Sequence, residues 1–580
     1  MYAIFYSKHY KLLLCIFVLL AAAGGASLYY LRTSQSQTAL AFRRQARDII
    51  GVIQAPARPD FRQGLQIESE RLYINNVLSE GSRTSWRADN HRILESTDIT
   101  RLVSYTHGYM VDFPAGVDFD LRASPRFTRV YGDGFIAVIS REWSVMANPM
   151  EYVDNHFYRF LQDSRFGSAN DIRITEQFRS DSICRIRLEI DDWPSELHDG
   201  YTYLTFFTGG RFFYRIMIKY HTNNAEIMGI IQNIEDSFRN FSPFGQAFYD
   251  VDFYPVLPER WSDETQQLYN LFLDPDTFLW GIFVRRVVTE GIFYEIPNME
   301  EIIGLPFEII LAYAHLPSEF PTDFMELTRQ QGRIVQMTYQ VTDSNNQQLY
   351  YESPLLRLIR DGDCPRIRAF ARDAAEWGHP FLFRLNNEMN TDWVSYGATA
   401  NLLDPDLFIL SWRIIYNIFR EEGVDNAIWI WNPQDRDYPP AGWNNYLAYY
   451  PGNEYVHMFG ITGYNTGTHY ADIHGEMWRE FRFIYDNIVA TYAGKFDAFP
   501  WIITEFASSS VGGNKELWID NMFDNLHRFP MIRAAVWFSY ADWDFRYAEG
   551  EVAARPYWLN ETPETLEAFR RGRLRQIERE

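Results

Sequence analysis

From residue 277 onward the chain carries eight short apolar runs, each separated from the next by a segment long enough for a helix. The runs are "FLWGIFV", "FEIILAYAHL", "RIVQMTYQV", "PFLFRLNNE", "AIWIWNPQ", "VHMFGITGYN", "PWIITEFAS" and "IRAAVWFSY". They are nearly continuous rather than alternating. That is the pattern of parallel strands covered on both faces, because a crossover helix must lie over each. Two architectures accept such a repeat. A doubly wound open sheet that binds nucleotides wants a glycine-rich phosphate loop after its first strand, and "FLWGIFV" is followed by "RRVVTEG" instead. Eight units in roughly 300 residues is the size of a (β/α)8 barrel. The expectation is therefore an α/β chain with a (β/α)8 TIM barrel over 277–580, including a terminal helix at "PETLEAFRRG".

In such a barrel the strands open at their C-terminal ends onto the face where chemistry is done. The fourth run exits through Arg384, Asn387 and Glu388, the fifth through Trp431 and Asn432, and the sixth through Tyr464 and Asn465. The seventh ends at Thr504 and Glu505, and the eighth at Trp537, with Asp542, Asp544 and Arg546 beyond. Two of these exits place a glutamate directly at the strand end, Glu388 and Glu505. A pair of carboxyl groups flanking a glycosidic bond is the equipment of glycoside hydrolysis, one protonated to assist the leaving oxygen and the other ionised. Unequal surroundings are what push two such pKa values apart. The triplets "DRD" at 435–437 and "DWD" at 542–544 read as loop charges rather than metal ligands, and neither a metal nor another cofactor is expected.

Glutamates ending strands four and seven resemble the clan A retaining glycosidases, and the finer pattern resembles glycoside hydrolase family 26, the β-mannanase family. The resemblance runs from about Gly281 to Phe569. It is sharpest in "WGHPFLFRLNNEMNTDW", where Arg384 stands four before Glu388 and Trp393 five after it. "WIWNPQ", "YYPGNEYVHMFGITGYN", "PWIITEFAS", "AAVWFSYADWDFR" and "PETLEAFRRG" follow in order. It implies Glu388 as general acid/base, Glu505 as nucleophile, and Tyr464 as a hydrogen-bond partner of the nucleophile. It also implies Arg384, Trp393, Trp431 and Trp537 as residues shaping the sugar site, with Arg384 able to hold a carboxylate through a bidentate contact. Two positions depart from the family. Asn387 replaces a His, and its amide could meet a sugar 2-hydroxyl; Thr462 replaces an Asp. Both fall where substrate is expected, so retaining hydrolysis of a β-linked polysaccharide is better supported than mannan, with xylans and mixed β-glucans as alternatives. A carbohydrate-binding protein on a retired enzyme fold, and a hydrolase that trims the cell's own exported polysaccharide, are the competing readings.

The rest of the chain is less specific. Lys8 and Lys11 precede an uncharged apolar run from Leu12 to Leu31, long enough as a helix to cross a bilayer and flanked to leave the N-terminus inside. Residues 1–35 are thus expected to be a signal anchor or, given "AAAGGAS", a cleaved signal peptide. Either exports the remainder, so an extracytoplasmic protein attached to a membrane is expected. Residues 36–99 read as a stalk. Between 100 and 245, alternating runs such as "CRIRLEIDDW", "YTYLTFFTGG" and "RFFYRIMIKYH" predict an antiparallel sheet with helices on one face, in an order that resembles the PsbP/Mog1-like fold. Gly209-Gly210 marks a hairpin turn, and residues 246–276 a connector. Cys184 and Cys364 form no disulfide framework. A formal charge of −22 argues against a nucleic-acid partner, while 17% aromatic residues suit a sugar-binding groove as well as a core.

Overall fold

The structure, a computed structural model, describes residues 71–73, 91–157, 164–243, 249–343 and 352–578. Eight parallel strands close into a barrel: β1 (Leu279–Val284), β2 (Ile309–His315), β3 (Ile334–Gln340), β4 (Phe381–Leu385), β5 (Ala427–Trp431), β6 (Met458–Thr462), β7 (Trp501–Phe506) and β8 (Ile532–Ser539). Each lies within one of the apolar runs. β8 returns to pair with β1 from Leu279↔Ala534 to Val284↔Ser539, which closes the ring.

Side chains alternate across each strand, and the alternation sorts the runs into two layers. The lumen is filled by Ile309, Leu311, Leu382, Ile428, Ile430, Met458, Ile502, Ala534 and Val536. A helix at Asp263–Leu271, capped by the Ser262 hydroxyl accepting from the Thr265 amide, closes the bottom of the barrel with Tyr269 and the following Phe272. The neighbouring positions face outward. Trp280, Trp429, Trp431, Trp501 and Trp537 pack there among the helices, each at most 3% exposed.

β7 breaks this rule once. Ile461 and Thr462 of β6 pair with Ile503 and Glu505, and Ala535 and Trp537 of β8 pair with Ile503 and Phe506. Against both neighbours β7 therefore carries one extra residue after Ile503. Such a bulge re-aims a side chain. Ile502 and Thr504 face the lumen, as an unbroken pleat requires; Glu505, which should face the helices as Ile503 does, is turned inward as well.

Ahead of the barrel stand two antiparallel sheets. One pairs Arg71–Tyr73, His91–Glu95, Ile99–Ser104, Tyr109–Pro114 and Arg239–Asn240. The first two of these strands fall inside the stretch read as a stalk. The other orders Asp118–Asp120, Phe127–Gly132, Phe135–Trp143, Phe212–Tyr220, Gly200–Phe207, Ile183–Ile190 and Ile172–Arg179. The expected hairpin joins Gly200–Phe207 to Phe212–Tyr220, with Gly209 at φ 79° supplying the left-handed turn. One face of this sheet, through Leu204, Tyr214, Ile216 and Ile218, shares a core with the first sheet and with Ile227, Ile231 and Ile234 of the helix Ile227–Ser237. The opposite face, through Ile186, Leu188, Tyr201, Tyr203, Phe213 and Met217, merges with the outer layer of the barrel into one continuous core. The apolar run Leu12–Leu31 lies outside the described residues. Among those described, no helix is long and apolar enough to cross a membrane.

Candidate active site

β4 ends at Leu385 and the chain turns through two left-handed residues, Asn386 at φ 46° and Glu388 at φ 59°. A non-glycine residue in that region costs roughly 1–3 kcal/mol and persists only where its surroundings impose it. They do: the Asn386 amide donates to the Tyr339 carbonyl at 2.9 Å and its side chain accepts from the Val341 amide at 2.8 Å. The Glu388 amide donates to the Asn432 carbonyl at 2.8 Å. Glu388 is therefore held between the exits of β3 and β5.

The two glutamates meet different company. Onto Glu505 converge the Arg384 guanidinium at 2.6 Å, the Tyr464 hydroxyl at 2.5 Å and the Tyr313 hydroxyl. The Glu388 carboxyl accepts from the Trp393 indole N–H at 2.8 Å. Both glutamates are nearly buried, 8% exposed for Glu388 and 6% for Glu505. Desolvation first, and then the negative charge of Glu505, push the Glu388 carboxyl from 4.5 up to about 8. Arg384 is wholly buried, and its other nitrogens are occupied by Thr338 Oγ1 at 2.6 Å and Asn432 Oδ1 at 3.1 Å. It thus reaches Glu505 through one nitrogen rather than through the bidentate contact expected of it.

Trp393, 39% exposed, lies at the rim beside Tyr438, ring centres 5.2 Å apart. The Asn387 amide oxygen accepts from Gln340 at 2.9 Å and Tyr396 at 3.2 Å, which leaves its NH2 group as the one available to a ligand. The other two tryptophans do not join the site. Trp431 donates its indole N–H to the Tyr449 carbonyl and stacks on Phe496; Trp537 donates to the Tyr557 carbonyl and packs against Phe506 and Trp518. Strand parity is the reason: Ile430 and Val536 occupy the lumen, so their successors point at the helices. Trp537→Ala is accordingly expected to destabilise the fold by about 3–5 kcal/mol, the usual cost of emptying a buried aromatic position, read as a shifted midpoint in chemical denaturation.

Thr462 is likewise no sugar ligand, being fully buried and bonded to Asn432. The aspartates of both triplets are engaged, Asp435 with Arg479, Asp437 with Asn390 and Asn445, Asp542 with Arg555, and Asp544 with Arg546 and His469. Sequence reasoning missed Tyr313, hidden inside an apolar run of β2, and Phe538, whose ring stacks on Phe283 at 4.7 Å and meets Tyr464 edge-on. Strand parity would have found Phe538; nothing local marks Tyr313, whose partner lies 192 residues away.

Residues 346–507, which hold β4 to β7, match the sequence model of glycosyl hydrolase family 26. Endoglucanase H of Acetivibrio thermocellus is 26% identical over 281 residues, covering 47% of this chain and 28% of that protein. Mannan endo-1,4-beta-mannosidase A and B of Caldalkalibacillus mannanilyticus is 33% identical over 98 residues, 16% of this chain and 18% of that protein. The chain thus spans less than a third of the length of either relative. Among solved structures, the catalytic domain of a Bacillus sp. JAMB-750 GH26 endo-beta-1,4-mannanase superimposes with a TM-score of 0.42 at 16% identity, over 56% of this chain and 93% of that one.

Proposed function

We propose, from a barrel whose central strands match glycosyl hydrolase family 26, that this protein hydrolyses a β-linked polysaccharide by double displacement. Glu505 attacks the anomeric carbon while Glu388 protonates the leaving oxygen. Water, deprotonated by Glu388, then cleaves the glycosyl-enzyme, so configuration is retained. One observation carries this reading: two carboxyl groups end β4 and β7 in one lumen, the first with its pKa pushed up to about 8, the second surrounded by three donors. That division suits an acid that keeps its proton at neutral pH and a nucleophile that three donors hold in place. Trp393 and Tyr438 at the rim suit a polymer, since flat rings pack on pyranose faces. Among substrates, β-1,4-mannan and a glucan follow from the names of the relatives, and internal attack from the same source.

The test is reducing-sugar release from mannan, galactomannan, β-1,3- and β-1,4-xylan and mixed-linkage glucan, with the anomer of the first product read by NMR. A β-product supports the mechanism and an α-product overturns it. Release from none of these polymers would favour binding without turnover or a self-made polysaccharide. The Glu388 proton also sets a pH limit. Its acid form is the one required, so kcat/KM should fall as pH rises through about 8, measured as a pH–rate profile on the cleaved polymer.

A further inference from the structure

The barrel-facing row of the seven-stranded sheet is not wholly apolar. Between Phe213 and Met217 stands Arg215, and one pleat further Lys219, both on the side that faces the barrel and 0% and 6% exposed. Glu142, Tyr201 and Tyr203 occupy the same row on neighbouring strands, and all are at most 2% exposed. Burying charge is costly unless it is paired, and each of these residues makes at least one hydrogen bond into the barrel. The Tyr203 hydroxyl donates to the Leu402 carbonyl at 2.6 Å and Arg215 to the Leu403 carbonyl at 3.2 Å. Tyr201 and Lys219 donate to Asp404 at 3.0 and 3.1 Å, and Lys219 with Arg129 pairs with Asp406 at 2.5 and 2.6 Å. Glu142 accepts from the Gly442 amide at 2.8 Å.

These partners are not scattered. Leu402 to Asp406 close the segment that begins with Glu388, and Leu402 and Leu403 hold left-handed backbone at φ 57° and 53°, which the two donors from the sheet help impose. From there the constraint passes inward. Asn401 donates to the Ser395 and Gly397 carbonyls, Thr399 to the Thr391 carbonyl, and Thr391 to the Glu388 carbonyl itself. A second route runs from Gly442 through Asn444, which donates to the Asn390 carbonyl. The apolar packing along this face would suffice to join two domains. The directed donors onto consecutive carbonyls and carboxylates of one loop are additional.

We propose that the accessory sheet positions the acid: Tyr203, Arg215 and Lys219, through Leu402–Asp406, fix the loop that places Glu388 at the leaving oxygen. The inference rests on Glu388 being the acid. A group misplaced by about 1 Å loses up to 10²-fold of its effect, and that loss falls only on substrates whose leaving group needs a proton.

The test compares full-length wild-type, Tyr203→Phe, Lys219→Met and Lys219→Arg proteins on two aryl β-glycosides of the sugar released from the hydrolysed polymer. On the phenyl glycoside, a poor leaving group, kcat/KM should fall about tenfold in Tyr203→Phe and Lys219→Met. On the 2,4-dinitrophenyl glycoside it should change by less than about twofold, and Lys219→Arg should recover most of the loss. Hydrogen exchange gives a readout that needs no substrate: amides of 386–404 should exchange faster in Tyr203→Phe and Lys219→Met, while those of the terminal helix Pro563–Ile577 stay as in wild type. Unchanged exchange in the loop, or equal loss on both glycosides, would overturn the inference. If Lys219→Met fails to fold, Tyr203→Phe decides, since it removes one hydroxyl. Faster exchange in a protein that hydrolyses no glycoside would leave the brace standing and remove the hydrolase reading instead.

Discussion

Glu505→Ala protein should lose about 10⁴-fold or more in kcat on whichever polymer the wild type cleaves, the scale seen when a covalent nucleophile is removed. Sodium azide should restore part of that turnover and release a glycosyl azide of inverted configuration. Both halves follow from the geometry. Arg384, Tyr313 and Tyr464 remain in place, three donors converging on a volume that the carboxylate has left, and a small anion satisfies them. Glu388 still carries its proton, so the leaving oxygen is still assisted. One displacement then replaces two, which is why the configuration should invert. The assay reads free sugar and azide adduct separately. Full turnover without azide, or a restored product of retained configuration, would exclude Glu505 as the nucleophile.

Glu388→Gln should lose roughly 10²–10⁴-fold in kcat/KM on the polymer, the contribution of a positioned proton donor, yet little on a dinitrophenyl glycoside whose leaving group departs as a stable anion. The same substitution should alter stability in a pH-dependent way. The folded protein holds the Glu388 proton up to about pH 8, whereas the unfolded chain releases it near 4.5. The folded state therefore binds the extra proton between these values, and stability falls as pH rises across that window. The Glu388→Gln protein has no such proton to lose, so its denaturation midpoint should fall less steeply from pH 5 to 8 than that of the wild type. Parallel slopes would mean that Glu388 is ionised in the folded protein and unfit to be the acid.

The barrel was legible because eight parallel strands, covered on both faces, leave eight apolar runs, and each strand lies within its run. Glu388 and Glu505 were legible because a carboxylate at a strand exit breaks the apolar run. Trp431 and Trp537 were misplaced for a definite reason. An aromatic at a strand end was assigned to the rim, but its direction depends on parity, and each follows a lumen residue, Ile430 and Val536. The same confusion, reversed, hid the contact between domains. In "RFFYRIMIKYH" the polar residues Arg215 and Lys219 alternate with apolar ones, as on a strand half exposed to water. The structure covers that mixed row, in which Arg215 and Lys219 stand beside Phe213 and Met217, with the barrel, so alternation reported two faces correctly but could not say what lay over the second. Tyr313 was beyond reach, since its role exists only where β2 and β7 share a lumen.

The single extra residue in β7 divides that strand into two phases. Up to Ile503 the even positions serve the lumen and the odd ones the helices; past the bulge, an odd position, Glu505, serves the lumen. Strand exchange between barrels is therefore sensitive to where the join falls. A graft ending before Thr504 keeps Glu505 in phase and replaces only packing. One that crosses the bulge and supplies a regular strand, even with glutamate at the aligned position, delivers the carboxylate to the helical layer. The counting error would be one residue, and the barrel would be folded with one carboxylate missing from its lumen.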